Sequence, residues 1–513
     1  ITMNPSKLNE KWDALKSDKL HALQIRQLRW FLKSRVLPFS AYYRSRFDEA
    51  GVSPDDIRSM EDLRHVPFTQ KEDLLPSEEH PKRSRELVLI PDQAALKRQT
   101  STVMSMLRHG PAAAKKLLEE EFRPIMMTST TGRSTVPVPF LYTAYDIENL
   151  RRTGRRMMEI CKSDPSWKHA NLFPFAPHLA FWQAHYAGTG WDTFCVSTGG
   201  GKVLGTAGNV GLIDRIDADV LIGMPTFIYH ILQQAVSEDR HWANLKRIVL
   251  GGEKVPDGLR RKLRGLAAEL GSGNVEIMAT YGFTEAKMAW PECPSNALGS
   301  PTGYHVSSDL GIVEIIDPET GDVLPPGHAG EIVFTAIDSR GSVVLRYRTG
   351  DQIDGGLVYD ACPGCGRTCP RLMGNISRVS VKRELALDKL KGTLVDFNAL
   401  ERVLDDLDGV GAWQIELRKR NDDPFDSDEV IVHLSSTGMA SGRDLETAVR
   451  RHFRAVTEMR PNRIEFHSDE EIREMQGVGR LLKEEKVRDN RPAAGASAVK
   501  DSTEPEPMEE LTR

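Results

Sequence analysis

Between Met127 and Pro139 the chain reads Met-Thr-Ser-Thr-Thr-Gly-Arg-Ser-Thr-Val-Pro-Val-Pro, a run of hydroxyl side chains around Gly132. Thr128, Ser129, Thr130, Thr131 and Gly132 offer hydroxyl and backbone N–H donors to the β- and γ-phosphates of a nucleotide, and Arg133 adds a fixed cation. Taken alone, such a run reads more often as a solvated turn, and it lacks the lysine of a P-loop. It is followed, however, by Tyr281-Gly282-Phe283-Thr284-Glu285, by Tyr347-Arg348-Thr349-Gly350-Asp351 and by Lys483. Activating a carboxylate with ATP requires three phosphates, a magnesium ion, the nucleoside and the acid held in line. Thr284 and Glu285 follow a β-rich run, which exposes a carboxylate at a strand end for magnesium, while Tyr281 can stack on a base. Asp351 can accept both ribose hydroxyls, and Lys483 can stabilise charge developing between carboxylate and α-phosphate. Singly, these are a turn glutamate, a Gly-Asp turn and one more lysine in a charge run. In this order and combination they point to ATP-dependent carboxylate activation.

The elements that must position them alternate. Short β-rich runs at 218–222, 247–250, 275–279, 311–316 and 331–335 are interleaved with helical stretches at 144–160 and 256–270. This predicts α/β layers, largely parallel in the first half and more antiparallel later. Before them, Leu20, Leu23, Ile25, Leu28, Trp30 and Phe31 recur at roughly helical spacing and predict a helical cap. After Arg371 the pattern becomes compact α+β, with helices expected at 397–407 and 442–453 and strands at 412–417 and 429–434. The expected layout is a large multilayered N-terminal domain over 1–374, a small mobile C-terminal domain over 375–491, and a disordered tail over 492–513.

With 513 residues the chain is long enough for more than one domain. Its 68 basic and 73 acidic residues nearly balance, so nothing in the charge calls for nucleic acid or an anionic membrane as partner. No apolar stretch approaches the ~20 residues of a membrane-spanning helix, and the opening residues lack a signal-peptide core, so a cytoplasmic location is expected. The sequence leaves the oligomeric state open, a homodimer included.

These motifs, with the segments Leu37-Pro38-Phe39-Ser40-Ala41-Tyr42-Tyr43-Arg44, Phe47-Asp48-Glu49-Ala50-Gly51-Val52 and Pro67-Phe68-Thr69-Gln70-Lys71-Glu72-Asp73-Leu74, resemble the phenylacetate–coenzyme A ligase branch of the acyl-adenylate-forming superfamily. The resemblance spans about residues 20–491. It implies a small-molecule carboxylic acid, aromatic or similarly compact, activated by ATP and Mg2+ as acyl-AMP and then transferred to coenzyme A. Rival readings are transfer to a carrier-protein thiol or an amine, and a catalytically silent nucleotide-binding relative. Under the resemblance, Gly252 and Glu253 line the adenine pocket with Tyr281 and Gly282, Thr284 and Glu285 serve phosphate and magnesium, Asp351 binds ribose, and Lys483 is the adenylation lysine. His178, Phe181, Thr226 and Tyr229 form the acid pocket. The branch usually has glycine and lysine where this chain has Ser129 and Arg133. At its hinge, the pattern Gly-Arg-x-Asp is replaced by Gly374-Asn375-Ile376-Ser377, with Arg378 or Arg371 as substitutes for the lost arginine.

Cys362-Pro363-Gly364-Cys365 is a knuckle whose spacing suits two thiolate ligands, and it wants two more. The same resemblance supplies Cys293 and His305, which implies a structural zinc, Zn2+, held by Cys293, His305, Cys362 and Cys365. Cys369 is the rival ligand, and Cys161 and Cys195 read as packing residues.

Overall fold

The computed structural model describes residues 12–78, 80–92, 107–108, 110–130, 137–294, 301–378, 397–419, 428–437, 442–457, 460–478 and 484–491. Thr131, Gly132, Arg133, Lys483 and the tail 492–513 lie outside the described residues. The chain divides into two compact units, residues 1–384 and 385–513.

Among the described residues, three sheets and a strand pair build the first unit. The strand pair is β1 (Pro124–Ser129) with β2 (Pro139–Thr143), antiparallel. The principal sheet comprises β3 (His169–Asn171), β4 (Cys195–Ser197), β5 (Val220–Gly223), β6 (Arg247–Gly251), β7 (Glu276–Phe283) and β8 (Met288–Pro291), in the order β4-β3-β5-β6-β7-β8. Its first five strands are parallel and β8 returns antiparallel to β7. Parallel strands are covered on both faces and therefore read as continuous apolar runs. Val-Leu-Ile-Gly at β5 is buried throughout, and in β6 only Arg247 is partly exposed. Between the strands run helices Leu179–Gly190, Gly201–Ile216, Pro225–Ser237 and Asp257–Glu269.

Antiparallel pairing follows, as the sequence predicts. β9 (Tyr304–His305) joins β13 (Leu357–Val358) and β14 (Arg371–Leu372) in one sheet, and β10 (Gly311–Ile316), β11 (Gly330–Ala336), β12 (Tyr347–Ile353) and β15 (Ile376–Arg378) form another. The helix Ala144–Ile160 starts at a capping box, in which the Thr143 hydroxyl accepts from the Asp146 N–H and the Asp146 carboxylate accepts from the Thr143 N–H. The N-terminal helix is Ser17–Phe31. Its buried stripe is Leu20, Gln24, Ile25, Leu28 and Phe31, whereas Trp30 stands 45% exposed. Gln24 joins the stripe because its amide donates to the carbonyls of Ser308 and Gly311, which satisfies a polar group that periodicity alone would place in water.

In the second unit, β16 (Val410–Lys419), β17 (Asp428–Ser436), β18 (Arg463–Phe466) and β19 (Val487–Asp489) form a sheet in the order β18-β17-β16-β19. Only β16 and β17 are antiparallel; β18 and β19 join in parallel at the two edges. Leu400 and Leu404 of one helix and Leu445, Val449 and Phe453 of another close its apolar core.

Candidate active site

In open α/β sheets, ligands collect outside the carboxyl ends of parallel strands. Here the segments leaving β3, β5, β6 and β7 at that end carry His178, Thr226, Glu253, Thr284 and Glu285. After β6, Gly252 adopts φ +84°, a conformation that suits glycine, and the turn delivers Glu253. The Glu253 carboxylate accepts from the Thr226 N–H at 3.2 Å and hydroxyl at 2.7 Å. Residues assigned from sequence to the adenine and acid sides are thus one hydrogen-bonded unit.

β7 extends beyond its parallel partner and pairs with β8 through Tyr281, Gly282 and Phe283. A Cβ at Gly282 would meet the Ala289 Cα at 2.9 Å and the Met288 carbonyl oxygen at 2.9 Å, so this close approach requires glycine. The Tyr281 hydroxyl donates to Asp351 Oδ2 at 2.8 Å, tying β7 to β12. A second tie runs parallel to it: the Tyr347 hydroxyl donates to Glu285 Oε1 at 2.8 Å. Glu285 is therefore held rather than displayed, being 7% exposed in the turn Thr284–Ala286, in contrast to the exposed strand-end carboxylate expected from sequence. The neighbouring sheet covers it, which the local sequence cannot show.

Thr128, Ser129 and Thr130, the described start of the run expected to bind phosphate, pack on the same end. The His178 ring lies with Nδ1 3.2 Å from the Ser129 carbonyl, and the Thr284 hydroxyl is 3.5 Å from the same oxygen. Thr130 closes the loop base, its N–H donating to the Val138 carbonyl and its hydroxyl accepting from the Val138 N–H, each at 3.0 Å. Thr128 is fully buried and donates to the Tyr142 hydroxyl at 3.2 Å.

Beneath Tyr142 lies a group that the motif reading misses. Lys287 Nζ sits 5.1 Å from the Tyr142 ring centre and pairs with Asp146 at 3.0 Å. Asp146 also accepts from the Ser339 hydroxyl (2.6 Å), the Arg340 N–H (3.1 Å) and the Gly341 N–H (2.7 Å). Burial pushes its carboxyl up, but the Lys287 charge and these donors outweigh it and hold the group below the usual carboxylate range. The Thr143-x-x-Asp146 spacing is a local signal that could have marked Asp146 as a cap; its pairing with Lys287 needed the fold.

Of the proposed acid-pocket residues, Phe181 is 6% exposed and packs with Phe173, Val220, Ile222, Val249 and Met278 over the principal sheet. Tyr229 receives a hydrogen bond from the Gln233 amide at 2.9 Å. The exposed ring of Phe175 meets Phe181 edge-on at 5.1 Å. Arg371 cannot replace the missing hinge arginine, because it is buried and donates to the Thr302 carbonyl at 2.6 Å and to Asp360 at 3.0 Å. Arg378 stands opposite Asp351 in the β12–β15 register.

Cys293, His305, Cys362 and Cys365 come together, with one ligand atom from each lying within 4.8 Å of the others. Cys293 Sγ is 3.6 Å from Cys362 Sγ, and Cys365 Sγ is 3.3 Å from His305 Nε2. The sulfur pair is too far apart for a disulfide of ~2.05 Å. It matches the edge of a tetrahedron with zinc–sulfur bonds of ~2.3 Å. His305 Nδ1 faces the Pro291 carbonyl at 3.1 Å, an outer hydrogen bond of the kind that leaves Nε2 for an ion. The donor set of three thiols and one imidazole thus fits zinc. Cys369 is buried outside the group. Next to Cys293, Glu292 accepts both Arg260 Nη2 contacts, at 2.9 and 3.0 Å, and the Ala279 N–H at 2.7 Å, pinning the helix Asp257–Glu269 and β7 to the end of β8.

Residues 178–338 match the family model described as AMP-binding enzyme. The chain is 26% identical to the phenylacetate–coenzyme A ligase of Aromatoleum evansii, over 68% of this chain and 69% of the relative. It is 25% identical to that of Escherichia coli strain K12, over 84% and 87%. The chain thus carries an AMP-binding enzyme domain and is similar over most of its length to phenylacetate–coenzyme A ligases. The fold agrees. The crystal structure of 2-hydroxyisobutyryl-CoA ligase in its postadenylation state, in complex with 2-HIB-AMP, superposes with a TM-score of 0.70 at 18% identity, covering 94% of this chain and 92% of that one. Among the described residues, no helix is long and apolar enough to cross a membrane.

Proposed function

We propose that this chain joins a compact, aromatic or similar carboxylic acid to ATP as acyl-AMP and then to the thiol of coenzyme A. The observation that carries the reading is the pair of tyrosine ties, Tyr281 to Asp351 and Tyr347 to Glu285, which set two acidic residues from different sheets at the carboxyl end of the parallel strands. In the first step a carboxylate oxygen bonds to the α-phosphorus, the bond from that phosphorus to the bridging oxygen breaks, and pyrophosphate leaves with the electron pair. Thr128, Ser129, Thr130, Thr131, Gly132 and Arg133 take the departing phosphates. Gly252, Glu253, Tyr281 and Gly282 frame the adenine, and Asp351 accepts the ribose hydroxyls. Glu285, with Thr284, would hold Mg2+, which supplies charge neutralisation on the phosphates when bound. Lys483 is assigned the role of stabilising charge that develops between acid and α-phosphate.

In the second step the thiol proton passes to solvent, sulfur bonds to the acyl carbon, the bond from that carbon to the phosphate oxygen breaks, and AMP leaves with the electron pair. A carrier-protein thiol is the second acceptor to test, because Asn375 occupies the hinge position of the family arginine and is engaged with Asp354, its N–H donating at 2.7 Å and its amide at 3.1 Å. A zinc held by Cys293, His305, Cys362 and Cys365 would have all four positions filled by protein and would join β9 and the end of β8 to the knuckle, a structural role.

Pyrophosphate release with a panel of acids, followed by detection of the coenzyme A ester, tests the reading. Release with ester supports it, release without ester moves the acceptor to a carrier thiol or an amine, and no release with any acid refutes it. Lys483→Ala is expected to lower adenylation about a hundredfold or more with the fold intact; wild-type release from that variant removes the lysine from the mechanism.

A further inference from the structure

The second unit carries a cluster that the ligase reading does not use. In a strand, residues two apart share a face, and directly paired residues share it across strands. Gln414 of β16 pairs with His433 of β17, and His433 pairs with Glu465 of β18. Glu416, His433, Glu465 and His467 therefore project from one face, while Ile415, Leu417, Val432 and Leu434 pack on the apolar core. His467 keeps the ladder going past β18, its N–H donating to the Leu434 carbonyl at 3.0 Å.

Three ligand atoms converge there. His433 Nδ1 lies 3.0 Å from His467 Nε2 and 3.4 Å from Glu465 Oε2, and Glu465 Oε2 lies 3.9 Å from His467 Nε2. A tetrahedral ion with bonds of ~2.0–2.2 Å to nitrogen and oxygen has ligand–ligand edges of roughly 3.3–3.6 Å, a range that the triangle's sides of 3.0, 3.4 and 3.9 Å bracket. The other nitrogen of His433, Nε2, is 3.0 Å from Glu416 Oε2, and Glu416 Oε1 accepts from the Asn490 amide at 2.8 Å. A proton donated from Nε2 to Glu416 leaves a lone pair on Nδ1, which either an N–H of His467 at 3.0 Å or a cation in its place can meet. The carboxylate–histidine pairing is the outer arrangement that metal-bound imidazoles use. Glu465 is steadied by Arg463 at 3.2 Å. His433 is 4% exposed, whereas His467 and Glu465 are partly open to solvent, which provides a route for an ion.

The geometry points to a second metal site, in which His433 Nδ1, His467 Nε2 and Glu465 bind a divalent transition ion of the zinc class and clasp β17 to β18. Two imidazoles and one carboxylate suit zinc, and three protein ligands leave a position for water.

The full-length protein, desalted as purified, is titrated with Zn2+ by calorimetry, and Co2+ is bound in parallel for its visible spectrum. Wild type is expected to take up one further ion per chain, with a cobalt spectrum free of sulfur charge transfer, which separates this site from the cysteine cluster. His467→Ala, a substitution at a ring one-quarter exposed, should lose at least a hundredfold in affinity. Glu416→Gln should lose about 10–100-fold. Unchanged uptake by a folded His467→Ala overturns the site. So does a wild type that takes up no further ion and whose His433, by imidazole nitrogen NMR near neutral pH, carries protons on both ring nitrogens.

Discussion

Removing one hydroxyl tests the catalytic arrangement most directly. Tyr347 is 1% exposed, and its ring stacks near Phe283 with centres 6.5 Å apart, so Tyr347→Phe keeps the packing and deletes the 2.8 Å hydrogen bond to Glu285. A buried hydrogen bond to an ionised acceptor contributes about 1.5–3 kcal/mol. If Glu285 holds magnesium through a carboxylate that Tyr347 orients, that energy is lost from the adenylation transition state. ATP–pyrophosphate exchange should then fall about ten- to hundredfold. Circular dichroism should be unchanged, and the magnesium concentration giving half-maximal exchange should rise. The control is Tyr281→Phe, which deletes the tie to Asp351 and should raise KM for ATP with less effect on magnesium dependence. Exchange at the wild-type rate and wild-type magnesium dependence in Tyr347→Phe would refute the placement of Glu285 in the metal site.

Three further outcomes are expected. Arg260→Met strands the buried Glu292 carboxylate and should destabilise the large unit by about 3–5 kcal/mol in urea unfolding; adding Glu292→Gln should restore much of it, and equal losses in single and double variants would discount the ion pair. Cys362→Ser should contain one zinc ion fewer per chain than wild type by elemental analysis; equal content would remove the cluster as a zinc site. Burial, opposed by the charge of Asp219, holds the His169 imidazole at about 4, below its ordinary 6.5. The unfolded chain therefore binds this proton first as pH falls. The associated stability is complete above pH 6.5 and is lost towards pH 4, about 3 kcal/mol in all. Urea unfolding across that range should show the slope in wild type and a reduced slope in His169→Gln; parallel slopes would contradict the assignment.

Local chemistry made much of this protein readable in advance. Apolar runs at 218–222 and 247–250 become β5 and β6 because a parallel strand buried on both faces has no polar side to show. The helix Ala144–Ile160 begins where Thr143 and Asp146 can satisfy each other's N–H groups. The Cys-x-x-Cys knuckle likewise declares a metal preference through its spacing, although its partners Cys293 and His305 were implied by resemblance, since nothing local links them.

What folding alone decided are the contacts between segments far apart in the chain. Glu285 is enclosed because Tyr347, 62 positions later, lies across the turn, and Lys287 is paired because Asp146 caps a helix on another layer. Phe181 is placed in the acid pocket by resemblance, and only the fold shows that its ring packs with Phe173, Val220, Ile222, Val249 and Met278. The cluster of Glu416, His433, Glu465 and His467 exists only because parallel pairing of β17 with β18 sets their registers side by side. A sequence states the preferences of each segment; which carboxylate meets which hydroxyl or cation is set by register and layer packing, and those depend on the whole chain at once.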